Sequence, residues 1–439
     1  MTDRGALMTI LPSNRPLLLP PLFIVTALLG GCAHYAAAPL AQRPALAATL
    51  ADLPQVPARP LSVEDVVALA VARAPDLVAA RTKRGVAEAQ LVQAGVLPNP
   101  SLTGAFLPLV SGAGTVPAWN FGLTQDLKAL IIRGPKLRGA RHAAAQVRAD
   151  LLWQEWQAAG QARQLAVDLI QREQTRAMLE EAVALLGHRY EVTQKALAAG
   201  NATLVTAAPS AIGYQQARVS LQALDQQQLQ DRHKLNALLA LAPDVVVPLA
   251  ATPDIAPLDI PVARASLATL PERRPDLLAL RFGYASQDEA LRGAILSQFP
   301  DFILGGSVSS DNSKVINAGP NAQIGLPLFD RNQGNIAIAR ATREQLRAEY
   351  AARLDAAVGE VGALLSEMER MRAQLAIVER DLPGARLAAA RAAAAFGKSA
   401  LDERAYVDLV TNRFTKEQEV YALQLSLLDR QVAIETLLG

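Results

Sequence analysis

The chain has little of what most enzymes and metal proteins are built from. It holds one cysteine, four histidines and 4% aromatic residues in 439 positions. With a single cysteine no intrachain disulfide can form. The histidines, His34, His142, His188 and His233, stand far apart without ligand-like partners in sequence. No phosphate-binding loop, nucleophile elbow or Cys–His set is present, so no catalytic residues, metal site or cofactor are expected. The net charge of +2 is nearly balanced, which argues against a dedicated nucleic-acid binder with its clustered basic face. Beyond the N-terminal segment no apolar run of about 20 residues remains, so no membrane-spanning helix is expected.

What is abundant is Ala, Leu, Gln, Arg and Glu, the composition of long helices and coiled coils. The chain also repeats itself. Arg73-Ala-Pro75-Asp76-Leu77-Val-Ala79-Ala-Arg81 matches Arg273-Arg-Pro275-Asp276-Leu277-Leu-Ala279-Leu-Arg281 at an offset of 200, which also pairs Leu91 with Leu291, Pro100 with Pro300 and Gly134 with Gly334. One structural unit used twice implies a pseudo-symmetric architecture.

The N-terminus reads as a secretory signal over 1–31: Arg4 and Arg15 precede the apolar run PLLLPPLFIVTALL, which ends at Leu29-Gly30-Gly31. Cys32 follows directly, as in a bacterial lipoprotein signal, and is the expected site of lipid attachment. Ala33 stands where an aspartate favours inner-membrane retention in lipoproteins, so the outer membrane is the expected address. Prolines 39, 44, 54, 57 and 60 make 32–60 an extended, lipidated tether.

The first repeat is placed at 61–241 and the second at 262–439, joined by a linker, 242–261, which its prolines keep from being helical. In each repeat a helix leads to a strand pair and then to a long helical hairpin. Ser62 is positioned to cap a helix from Val63 to about Gly95, with a break at Pro75. Strands are expected at 101–110 and 119–127, and at 301–310 and 321–329, with weak alternation. Long helices are expected at about 139–199 and 203–241, and at about 335–396 and 401–438. Their turns fall at Gly200-Asn201-Ala202 and Gly397-Lys398-Ser399, where glycine can end a helix in the left-handed conformation and Asn201 or Ser399 can start the next.

Four strands cannot close a membrane barrel, and an open edge in lipid leaves backbone groups unpaired. Strands in a membrane therefore require oligomerisation, and three copies give a barrel of about twelve strands.

These residues resemble the TolC-like outer-membrane efflux proteins, in particular the lipoprotein outer-membrane factors of RND-type pumps. The resemblance is carried by LGGC at 29–32, LPNPSL at 97–102, RPDLLALR at 274–281, GLPLFDRNQGNIAIARA at 325–341 and the two Gly-centred tips. It implies a mixed, mainly α fold with an internal two-fold repeat: a trimeric 12-stranded transmembrane β-barrel, four strands per chain, continuous with a long periplasmic α-helical barrel. It implies as partners a homotrimer, a periplasmic adaptor (membrane fusion protein), an inner-membrane RND pump and outer-membrane lipid. The adaptor-contact tips map to Gly200, Asn201, Ala202 and Thr203, and to Gly397, Lys398, Ser399 and Ala400. The family's acidic gate maps to Asp402, Glu403 and Asp408, with Arg404 and Arg413 as tethering partners. The acidic residues miss the family's usual register, and the first repeat has no carboxylate there. The implied function is an efflux exit channel, not an enzyme. A type I secretion duct and a non-channel coiled-coil lipoprotein are the alternatives. Cargo is left open between drugs and metal ions, with GLTQDLKAL at 122–130 closer to the metal-efflux branch.

Overall fold

The computed structural model describes residues 35–54 and 56–439. The signal segment and Cys32 lie outside the described residues.

Helix α1 (Val63–Arg73) begins on a reciprocal cap: Ser62 Oγ accepts from the Asp65 amide, and the Asp65 carboxylate accepts from the Ser62 amide at 2.8 Å. Ala74, preceding a proline, leaves the helical region, and α2 (Pro75–Gly95) restarts with Pro75 in its first turn. Strands β1 (Ser101–Leu107) and β2 (Ala118–Asp126) follow. Helix α3 (Lys128–Ala198) then runs 71 residues, about 105 Å if straight, and α4 (Leu204–Leu238) returns beside it.

The second repeat has α5 (Ile260–Ser266), α6 (Leu270–Arg273), α7 (Pro275–Leu296), β3 (Phe302–Ser310), β4 (Ile316–Ile324), α8 (Gln333–Gly397) and α9 (Glu403–Leu438). None of the described helices is apolar and long enough to cross a membrane.

Three elements depart from the sequence expectation. Helix α3 starts near the sheet rather than at Gly139, because the Asp126 carboxylate caps the Lys128 amide at 2.8 Å. Pro135 is buried inside the helix, its ring packing opposite Gly293 of α7. Strand β4 begins at Ile316, not 321. Asp311 folds the preceding loop tightly by accepting from the Ser313 and Val315 amides at 2.8 and 3.0 Å. Pro320 is accommodated because β4 is an edge strand of the sheet. Last, part of the tether belongs to the packed fold. From Leu46 onward it joins the compact unit formed by the rest of the chain. Ala47 bridges to Leu241 and Leu61 to Leu249, and Leu53 and Leu61 are buried, since these apolar side chains gain from leaving water.

The repeat reappears as two related cores. Val63, Val66, Leu165, Ile170, Leu235 and Leu241 pack where α1, α3, α4 and the linker meet. Ile260, Ala263, Val361, Leu365, Met368 and Ile434 do the same for α5, α8 and α9, with Leu365 the repeat counterpart of Leu165. A third core, with Met178, Leu186, Val407, Val410 and Phe414, holds the two hairpins together toward their tips.

Candidate functional site

The four strands form one antiparallel sheet in the order β1-β2-β3-β4, so the two hairpins pair with each other through β2 and β3. Directly paired residues share a face, and the register sorts the side chains. One face carries Leu102, Phe106, Trp119, Phe121, Leu123, Phe302, Leu304, Val308, Ile316, Ala318, Ala322 and Ile324, with Gln125 and Ser310 as its polar members. The other carries Ser101, Thr103, Asn120, Thr124, Ser307, Ser309, Asn317, Asn321 and Gln323, with Ala105, Leu107, Ala118 and Ile303 as exceptions. Asp126, at the end of β2, is the only ionisable residue in the strands. The alternation that looks weak along each strand is strong across the sheet, because glycines interrupt it in sequence but not in register. Gly305 is required for the close approach of strands: a Cβ there would lie 2.2 Å from the Leu123 carbonyl oxygen.

The apolar face lies open to solvent in the single chain, with Leu102 75%, Phe106 67% and Phe121 55% exposed. A contiguous exposed apolar surface of this kind needs a partner or a lipid phase. The outer edges of β1 and β4 pair with nothing among the described residues.

At the opposite end, α3 and α4 turn through Ala199–Thr203. Gly200 takes the left-handed conformation (φ 76°), and the Asn201 amide donates to the Ala196 carbonyl at 2.8 Å. Thr203, not Asn201, caps α4. In the second tip Gly397 is still helical. Ser399 holds the left-handed position (φ 56°), the Ala400 amide donates to the Ala395 carbonyl at 2.9 Å, and Asp402 caps α9. The tips are thus equivalent at an offset of 199, pairing Gly200 with Ser399 and Thr203 with Asp402. They differ chemically. Leu204 and Val205 follow the first tip at 75% and 82% exposure, whereas Glu403 and Arg404 follow the second.

The acidic residues mapped to a gate have separate positions. Asp402 Oδ1 accepts from the Ala405 amide at 2.8 Å. Glu403 is mostly buried against Arg189 of α3, an ion pair between the two hairpins, and Thr193 donates to it as well. The Arg189 guanidinium lies 4.4 Å from the centre of the Phe396 ring, which stacks on Tyr406. Asp408 and Arg404 are exposed and 3.9 Å apart. Arg413 reaches Glu181 of α3 at 2.9 Å and Glu417 at 3.2 Å rather than the tip acids. The Arg189–Thr193–Phe396–Tyr406 cluster has no signature in sequence, since its members come from helices some 200 positions apart.

Residues 267–439 match the outer membrane efflux protein family. The cation efflux system protein CusC of Escherichia coli O157:H7 is 25% identical over 177 residues, 38% of each chain. A probable outer membrane lipoprotein, SilC, of Salmonella typhimurium is 23% identical over 196 residues, 42% of each chain. The chain thus aligns with roughly two fifths of these relatives' length. Similarity of fold extends much further. A membrane protein from Pseudomonas aeruginosa superposes with TM-score 0.73 at 19% identity, over 86% of this chain and 90% of that one. A CusC crystal structure gives 0.68 at 18% identity, over 92% and 99%. The Campylobacter jejuni CmeC outer membrane channel gives 0.71 at 16%, over 86% and 85%.

Proposed function

We propose, for a chain whose residues 267–439 belong to the outer membrane efflux protein family and whose fold is that of outer-membrane channels, that it is the exit duct of a tripartite efflux system. The observation that carries this reading is the two-faced sheet with two open edges. An isolated four-stranded sheet in lipid leaves both edge ladders unsatisfied, at several kcal/mol per backbone group. A head-to-tail ring that joins β4 of one copy to β1 of the next removes both edges. Three copies place the apolar face outward into lipid and the Ser, Thr and Asn face inward around an aqueous lumen. The helical hairpins then continue the barrel into the periplasm, and Cys32 supplies the lipid anchor in the outer membrane.

The tips are the surface for a periplasmic adaptor, which links the channel to an inner-membrane RND pump. The small residues Gly200, Ala202, Ser399 and Ala400 allow backbone approach, and Leu204 and Val205 offer apolar contact. CusC is a cation efflux protein by name, and together with the 122–130 segment this favours metal ions over drugs as cargo.

Glu403 serves the gate as a latch within the protomer: its pairing with Arg189 holds the second hairpin to the first near the tip. An Arg189→Ala variant raises the open probability in planar bilayers by about tenfold, the effect of losing about 1.4 kcal/mol from the closed state. An unchanged open probability removes Glu403 from the gate.

The channel reading is tested with purified protein in mild detergent and in planar bilayers. Heat-resistant trimers and ion conductance are expected. A monomer that conducts nothing overturns the reading. Growth of a deletion strain on divalent metals and on hydrophobic dyes then identifies the cargo.

A further inference from the structure

Between the tip-side core and the core around α1, two carboxyl groups from different helices meet in the interior. Asp168 of α3 is 8% exposed, and Asp429 of α9 is its neighbour, held against α3 by Gln164, one turn before Asp168. Two neighbouring ionised carboxylates repel each other in a medium that screens them poorly. The surrounding cations do not resolve this. Arg172 is committed to Asp231 of α4 and stands 3.5 Å from Asp168. Lys234 also pairs with Asp231, at 3.1 Å. Arg430, beside Asp429, turns to Glu367 of α8 at 3.0 Å. Gln164 donates to Asp429, while Asp168 Oδ1 is buried with no hydrogen-bond partner. No group of three or more His, Cys, Asp or Glu among the described residues is arranged to hold a metal ion. A proton shared between the two carboxyls satisfies the geometry: one becomes a donor, the other accepts, and one negative charge disappears.

We propose that Asp168 and Asp429 form a proton-operated latch that ties α3 of the first hairpin to α9 of the second, closed while the pair shares a proton and loosened when that proton passes to water. The latch itself stands on the buried pair. Its effect on opening rests on the channel reading. Burial, and then the Asp429 charge, push the Asp168 carboxyl up to about 7, and burial pushes Asp429 up as well. A carboxyl raised above its unfolded value of 3.8 binds its proton more tightly in the folded chain. Its contribution is complete below about pH 4 and is lost as pH rises through about 7. The site lies some 30 residues from the first tip, about 45 Å along α3. A small parting of the helices there is therefore enlarged at the periplasmic end.

The test is a thermal-stability series on the full chain in detergent, pH 5 to 8, for the wild type, D168N and D429N. Asparagine keeps the shape and removes the titration. Relative to either variant, the wild-type unfolding equilibrium is expected to move toward unfolding by about tenfold per pH unit up to about 7 and to level off above it. Curves that run parallel in all three proteins overturn the latch. If neither variant assembles, infrared spectra of the wild type decide: a protonated-carboxyl band that disappears around pH 7 supports the latch, and no such band overturns it. In bilayers the wild-type open probability is expected to rise severalfold from pH 5.5 to 8.5 and D168N to stay flat. A conducting wild type without that rise overturns the link to opening. A chain that conducts at neither pH overturns the channel reading, and the thermal series still decides the latch.

Discussion

In the proposed channel, Leu123→Arg is expected to abolish the heat-resistant trimer, whereas Asn120→Arg is expected to leave it assembled and shift its ion selectivity toward anions. The two positions lie on the same strand, both are exposed in the single chain, and the register puts them on opposite faces. An arginine on the lipid side near the bilayer midplane costs about 2–4 kcal/mol, hence about 6–12 kcal/mol for three copies. That is comparable to the whole stability of a typical domain. At Asn120 the same charge faces water in the lumen, and its main effect is on passing ions. Unheated gel mobility and reversal potentials across a salt gradient measure the two outcomes. If both variants assemble equally, the apolar face does not contact lipid.

Asp276→Ala unfolds or disassembles the protein at temperatures the wild type survives. Arg274 is 3% exposed. Its Nε and Nη2 donate to the two Asp276 oxygens at 2.8 and 3.2 Å, with its guanidinium 4.8 Å from the centre of the Trp153 ring. Asp276 also accepts from the Leu277 amide at 2.9 Å and pairs with Arg353 at 3.1 Å. Truncating it strands a buried guanidinium, which costs about 3–5 kcal/mol per protomer. Replacing both residues together, as Arg274→Met with Asp276→Leu, recovers most of the loss, because no buried charge is then left unpaired and Arg353 is half-exposed. Thermal melts of the three proteins check this. A single variant as stable as the wild type would show the pair to be dispensable.

The same segment illustrates what was legible in sequence. Arg-Pro-Asp-Leu at 274–277 and its counterpart at 73–77 mark the repeat, and the prolines mark the helix restarts, because a proline acts on its own neighbours. The first tip was legible through Gly200 for the same local reason. The second was misplaced by two residues, since Ser399 and not Gly397 takes the left-handed position, held there by the backbone bonds to Phe396 and Ala395. Strand β4 was displaced because the Asp311 turn is a side-chain device inside what composition marks only as loop. Residues 46–60 read as extended tether in sequence because prolines obscure the spacing of Ala47, Leu50, Leu53 and Val56, which only the linker reveals as buried or half-buried contacts.

The sequence by itself determined the two repeats, the helix cap at Ser62, the helical character of most of the chain and the position of the first hairpin turn. All of these depend on residues within a turn or two of one another, or on an offset that can be counted. The tertiary structure alone decided which strands share a face, which acidic residues are paired away from the tip, and that Asp168 meets Asp429. Those facts depend on the register between segments as much as 260 residues apart, and register is set by packing summed over whole helices and strands, which no local pattern records.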